Sequence, residues 1–246
     1  DQNTGIASGI VSTQKNIVVE ISHRTDTVSD KLEAIDYFGL RLGKTKLSDE
    51  ETQELYDICV ASNQTDNHKL VGYINEENNI YVELRNSKVI KSIINLIEDY
   101  IRDIDNGIYG DTLKAHDLDS IVNLSDAWYN KQVAMEYNPV HNHLTAADLV
   151  CVIYPKVSLD KNATNYIVNK SAYQEQKGQV HFLYGQNPNI NGFGKSLLTL
   201  EPEDGDILIF PSSLDHYTAP VLGESYRYSI SCNFKIHNHI KRLAQK

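Results

Sequence analysis

The segment Tyr137-Asn138-Pro139-Val140-His141-Asn142-His143 carries two histidines two positions apart, and a third, His216, follows an apolar run 73 residues beyond His143. Side chains alternate along a strand with period two, so His141 and His143 are expected on one face of one strand. His216, arriving from a neighbouring strand, completes a set of three neutral imidazoles. Three ligands on one side of a transition metal leave positions open for a co-substrate and O2, the arrangement that non-haem Fe(II) oxygenation needs.

Eleven residues past His216 stands Arg227-Tyr228-Ser229, inside a strand-like segment. A guanidinium presents five donors in a planar fork and grips a carboxylate in two parallel hydrogen bonds. Arg227 is therefore expected to hold the far carboxylate of a dicarboxylic co-substrate. Ser229, two residues on, faces the same way, and Tyr154 ends the apolar run that follows the histidine pair; both are candidate further donors. A bland alternative stays open for Arg227, an ion pair with a nearby Asp or Glu, since a charge in mid-strand needs a partner if buried. His237-Asn238-His239 repeats the triplet but leads into Lys241-Arg242 with no Arg-x-Ser after it, and reads as solvated tail. His181 reads as structural, while His23, His68 and His116 sit in polar segments without a pattern.

The stretch from Trp128 through Asn138-Pro139-Val140-His141-Asn142-His143 to Val150-Cys151-Val152-Ile153-Tyr154 carries a family likeness. So does Gly205-Asp206-Ile207-Leu208-Ile209-Phe210-Pro211 with His216 and Arg227-Tyr228-Ser229. Together they resemble the 2-oxoglutarate- and Fe(II)-dependent dioxygenases, nearest to oxygenases found in phages and marine bacteria that are similar to prolyl hydroxylases. The likeness spans roughly Leu70 to Phe234 and is strongest from Trp128 onward. It implies a double-stranded β-helix and the cofactors Fe(II), 2-oxoglutarate and O2. The reaction implied is oxidative decarboxylation of 2-oxoglutarate to succinate and CO2, coupled to hydroxylation of a C–H bond. It also puts His141 and His216 in the histidine positions and Arg227 with Ser229 in the co-substrate clamp. The usual pattern of that family is His-x-Asp or His-x-Glu, whereas this chain has His143. Either His143 is the third ligand, or Asp148 turns back to take the place, or water fills it.

Composition bounds the rest. The chain has 246 residues, 41% of them hydrophobic and 23% charged, as in an ordinary globular protein. Its net charge of −10 argues against a nucleic-acid partner, which needs a basic face. No run approaches a membrane span, so no membrane partner is expected. Cys59, Cys151 and Cys232 are far apart and odd in number, which suits buried thiols in a reducing compartment. A cytoplasmic location is expected, the host's if the chain is phage-encoded. The expected partner is a small molecule or a peptidyl side chain, and the oligomeric state has no signature.

The elements that must position these residues divide into two textures. Before about residue 105 the pattern mixes strand and helix: a strand at Ile17–Ile21, a capping box at Ser48 ahead of a helix, and short strands at Lys69–Ile74 and Asn79–Leu84 around a turn. A strongly amphipathic helix follows over Ser87–Asp105. Later segments read as short strands: Asp126–Tyr137, Leu149–Tyr154, Gln179–Tyr184, Leu197–Leu200, Asp206–Phe210 and Tyr226–Phe234. Lys156–Gly178 reads as an irregular loop over a barrel mouth. The expected fold is α+β: a double-stranded β-helix (jelly-roll, cupin-like) barrel over 106–246, with an N-terminal elaboration over 1–105 whose helices pack on the sheet. Two rival functions remain, a three-histidine cupin-like dioxygenase that uses no 2-oxoglutarate and a non-catalytic jelly-roll binding module.

Overall fold

A computed structural model describes residues 33–37, 40–62, 72–104, 122–160, 178–185 and 196–236. The expected strand at Ile17–Ile21, the bulk of the loop before Gly178 and the His237–His239 triplet lie outside them.

Two antiparallel sheets face each other. The larger has seven strands: β1 (Glu33–Tyr37), β2 (Leu40–Lys46), β3 (Glu76–Asn79), β4 (Val122–Gln132), β6 (Leu149–Ser158), β9 (Asp206–Pro211) and β11 (Tyr226–Ile236), in the spatial order β1-β2-β9-β6-β11-β4-β3. The smaller has four, β5 (Asn138–His141), β7 (Val180–Leu183), β8 (Leu197–Leu200) and β10 (Asp215–Thr218), ordered β5-β10-β7-β8. This is the double-stranded β-helix that the sequence led us to expect.

Strand alternation sorts side chains into two cores. On β9, Ile207 and Ile209 point out of the barrel, while Leu208 and Phe210 point in. The outward set meets α1 (Asp49–Ala61), α2 (Tyr81–Arg85) and α3 (Ile90–Ile104) through Leu55, Cys59, Leu84, Ile93 and Ile97, all buried. The inward set from the large sheet, Val150, Tyr154, Leu208 and Phe210, packs on Val180 and Phe182 of β7. With both faces covered, the central strands read as continuous apolar runs. Each such side chain contributes roughly 1.5–3 kcal/mol of burial.

The capping box at Ser48 forms as expected: its hydroxyl accepts from Glu51 N and the Glu51 carboxylate accepts from Ser48 N at 3.1 Å. Other segments differ from the sequence reading. The polar stretch expected as a turn is largely β3, which pairs with Trp128–Lys131 at the edge of the large sheet. The strand expected over Asn79–Leu84 is instead the end of β3 and the helical turn α2, whose Tyr81 N–H bonds Asn79 Oδ1 at 3.0 Å. Of Lys69–Ile74, the described part makes only a bridge, Tyr73 to Tyr137. The strand expected to reach Tyr137 stops at Gln132, because Met135 takes a positive φ of 69° and Glu136 N–H turns back to Val133 O. Among the described residues, no helix is long and apolar enough to cross a membrane.

Removing the cap should be felt globally, since α1 covers the outer core. Ser48→Ala is expected to cost about 1 kcal/mol and Ser48→Asp to restore most of it, as read by urea denaturation.

Candidate metal centre

Strands β5 and β10 pair so that His141 lies directly opposite His216. Pro139 is tolerated in β5 because it is an edge strand of the small sheet. Here the structure departs from the expected geometry: β5 ends at His141, and His143 lies beyond it. Its N–H bonds Ser212 O at 2.8 Å, and its carbonyl accepts from Ala146 and Ala147 N–H, both at 2.9 Å, as the chain turns into β6. That turn, rather than strand alternation, brings the third ring to the other two. One nitrogen from each of His141, His143 and His216 lies within 4.8 Å of those of the other two.

Each ring is oriented through its Nδ1. His141 Nδ1 lies 2.7 Å from Pro139 O, His216 Nδ1 2.9 Å from Leu214 O, and His143 Nδ1 2.9 Å from Asn233 Oδ1. Carbonyl oxygens only accept, so these contacts place the proton on Nδ1 and leave the Nε2 lone pair free. This is the usual support beneath a metal-bound imidazole. Trp128 stacks on His143 with centroids 5.6 Å apart, and Phe210 meets the His216 ring edge-to-face at 5.0 Å. Burial is the main cause that depresses all three imidazoles; His143 falls to about 4, with His141 adding repulsion and Asn233 opposing it. The rings are thus neutral at ordinary pH, the form that ligates.

Asp148, the alternative ligand, is not brought into this group. Its carboxylate accepts from Ile236 N at 2.9 Å, tying the start of β6 to the end of β11. Asp215 accepts from Asn142 Nδ2 at 2.7 Å. His181 stacks on Tyr217 at 4.4 Å and contacts Thr199 Oγ1 through Nδ1, apart from the three-ring group.

Arg227, Ser229, Ser231 and Asn233 share the inner face of β11, while Tyr228, Ile230, Cys232 and Phe234 pack outward. Arg227 is 1% exposed. It donates to Gly178 O at 2.6 Å and to Gln132 Oε1, and its Nε has no partner. The guanidinium carbon sits 5.5 Å from the centre of the Tyr154 ring, whose hydroxyl burial has pushed up to about 12. Ser229 is also buried. Among the described residues no carboxylate pairs with Arg227, so the ion pair offered as its bland explanation is not found there. Gly178 N–H bonds Pro220 O, four residues past His216. The guanidinium therefore lies on the order of 10 Å along the barrel from the histidines at the rise of a strand. A buried cation with neutral partners alone is costly to keep, and a carboxylate reaching Nε would relieve it.

Four further residues escaped the sequence reading. Asn233 was detectable only as the next-but-one inward position after Ser229 and Ser231. Gln132 accepts from Arg227 and donates to Ala219 O at 3.0 Å. Asn130 and Glu77 come from neighbouring strands, and the Asn130 amide, with its nitrogen toward β3, donates to Glu77 Oε1 at 2.9 Å.

Comparison with known proteins bears on this geometry. Residues 126–233 match the family described as "Putative 2OG-Fe(II) oxygenase". No curated protein matches the chain. HygX from Streptomyces hygroscopicus, solved with nickel and 2-oxoglutarate bound, is 10% identical over 78% of this chain and 82% of its own, with a TM-score of 0.51. SnoN, the non-heme alpha ketoglutarate dependent epimerase from nogalamycin biosynthesis, is 11% identical over 78% of this chain and 76% of its own, TM-score 0.50. A Pseudomonas putida prolyl-4-hydroxylase is 12% identical over 80% and 93%, TM-score 0.49. HygX and SnoN share the fold, and the family match covers the segments that carry the three histidines and Arg227. Over residues 126–233 the chain is thus similar to the 2-oxoglutarate- and Fe(II)-dependent oxygenases, and it shares its double-stranded β-helix with HygX and SnoN.

Proposed function

We propose that this protein is an Fe(II)- and 2-oxoglutarate-dependent dioxygenase that hydroxylates a C–H bond of a peptidyl side chain, an amino acid or a small metabolite. His141, His143 and His216 hold the metal, and Arg227, with Ser229 and Tyr154, holds the co-substrate. The observation that carries this reading is the convergence of three Nδ1-anchored imidazoles in a barrel that also buries a guanidinium with no carboxylate partner among the described residues. We take residues 106–246 as the catalytic core and 1–105 as an elaboration joined to it, a reading supported by the pairing of β2 with β9 and β3 with β4.

When bound, iron with 2-oxoglutarate supplies O2 activation coupled to release of succinate and CO2. The protein's own part is positional. Pro139 O, Leu214 O and Asn233 Oδ1 fix the tautomers and aim the lone pairs. Three neutral imidazoles leave a dication one unit more positive than the common two-histidine, one-carboxylate set. One carboxylate of a dianionic co-substrate would offset one unit of that charge, and Arg227 would pair with the other. Phe182 and Phe210 pack against the His216 ring and Trp128 against the His143 ring, holding both in place.

A cupin-like three-histidine dioxygenase without 2-oxoglutarate is the second reading, favoured by the three imidazoles themselves. It leaves Arg227 unexplained.

Anaerobic titration separates the roles. His216→Ala is expected to abolish Mn(II) binding; stoichiometric metal in that variant would show the ligand set is wrong. Arg227→Ala is expected to weaken 2-oxoglutarate by about 10- to 100-fold, the worth of one or two charge-assisted hydrogen bonds, with metal content intact. Equal loss of both would undo the division of labour. Asn233→Ala should weaken metal binding by about 10- to 100-fold, with Asn233→Asp close to wild type because a carboxylate still accepts from His143 Nδ1. Succinate formation with iron and 2-oxoglutarate is expected in the wild type, and its absence would favour the second reading.

A further inference from the structure

A cavity of about 210 Å³ opens beside the histidines and has His141 and His143 in its wall. Its lining also holds Trp128, several asparagines, and two carboxylates, Glu77 and Asp126, and among the described residues no lysine or arginine. Whole-ligand pockets usually occupy roughly 300–1,000 Å³, so this space suits one side chain or one head group.

Glu77 is the unusual member. It comes from β3, outside the segment matched to the oxygenase family, and is 2% exposed. Its side chain makes one hydrogen bond among the described residues, from the Asn130 amide to Oε1, so Oε2 has no partner there. No cation among those residues pairs with it. Burial, and then repulsion from Glu136, pushes its carboxyl up to about 7. A buried carboxylate with an open oxygen is costly to keep unless a cation reaches it. Among the described residues none around Glu77 supplies one: Glu136 accepts from Asn75 and Val133 N–H, and Asp126 adds a second negative group to the same wall.

We propose that this cavity is the substrate subsite and that it selects a cationic amine, such as an aminoalkyl side chain, with Glu77 as the residue that determines the preference. The inference rests on the oxygenase reading for the word substrate, but the subsite's charge preference stands or falls separately. The ammonium donates to Glu77 Oε2, Asp126 adds long-range attraction at the rim, and the asparagine amides line the path. The alkyl stem then lies along the indole of Trp128, which brings its C–H bonds up to the side of the cavity formed by His141 and His143.

Trp128 is the only tryptophan in the chain, so its fluorescence reports occupancy without any turnover. Nα-acetyl-lysine N-methylamide, its norleucine isostere and its ε-hydroxy isostere are titrated into the protein, alone and with Mn(II) and 2-oxoglutarate. The lysine probe is expected to bind on the order of tenfold tighter than either isostere, the worth of one charge-assisted hydrogen bond. In Glu77→Gln, which keeps shape and the Asn130 contact, that discrimination is expected to vanish while Mn(II) stoichiometry is unchanged. Equal binding of all three probes to the wild type overturns the proposal, whether or not the variant folds. Discrimination that survives in Glu77→Gln overturns the role of Glu77. If the preference holds but neither Mn(II) nor 2-oxoglutarate binds, the oxygenase reading fails and the amine subsite remains.

Discussion

The register between two four-residue strands governs the site. Because β5 and β10 pair with His141 opposite His216, two imidazoles from segments 75 residues apart stand 4.3 Å centre to centre. A shift of one residue would send one of the rings to the other face of the sheet. The surroundings resist that shift at several points. Asn138 N–H bonds Thr218 Oγ1 at 2.9 Å, Asn142 holds Asp215 at 2.7 Å, and β10 continues its ladder into β7 on the other side. The small sheet is held in turn by Phe182 and Val180, which interlock with Phe210 and Val150 of the large sheet. Hydrophobic packing therefore sets the separation of the two sheets, and short polar contacts set the register within the smaller one.

The same logic explains how a charged residue survives in the middle of β11. Arg227 lies on a face whose other members are serines and an asparagine, so alternation gives the strand a polar inner side and an apolar outer side. Its neutral partners, Gly178 O and Gln132 Oε1, orient the fork without cancelling its charge. Gln132 is itself fixed by Ala219 O, which belongs to the segment just past β10. Placement of the guanidinium is thus tied to the strand that carries His216. The barrel couples the two halves of the site through the Gly178 and Ala219 carbonyls, the latter by way of the Gln132 amide.

Much of this was legible in the sequence, for identifiable reasons. Strands β6 and β9 announce themselves because both their faces are buried and they run apolar or β-branched, and β11 by its alternation of apolar and polar residues. Val89, Ile93, Ile97 and Ile101 mark α3 by helical spacing. The types and order of the three histidines and the Arg-x-Ser pair were also readable. Strands β5 and β10 were readable only as the carriers of His141 and His216, without bounds, since four residues of mixed polarity become strand only through their partners. For the same reason the mechanism assigned to His143 was wrong while its convergence with the other rings was foreseen. A hydrogen bond to Ser212 O, 69 residues away, leaves no local pattern. β3 was mistaken for a turn because an edge strand made of Glu-Glu-Asn-Asn looks like a loop. Glu77 had no periodic signal at all, since one carboxylate in a polar stretch is ordinary until burial singles it out.

The alternation along β11 has one more effect, on the protein's own chemistry. Cys232 sits between Ser231 and Asn233 yet faces the helices, opposite Cys151 of β6, and Cys59 of α1 joins them in the same buried cluster. A full layer of backbone separates these sulfurs from the chamber where an oxidant would be generated. Burial also raises the Cys59 and Cys151 thiols far above their ordinary range, so they stay protonated and poorly nucleophilic. Oxidatively fragile sulfur and an oxygen-handling interior are thereby kept on opposite sides of one sheet, shielding the former from stray damage.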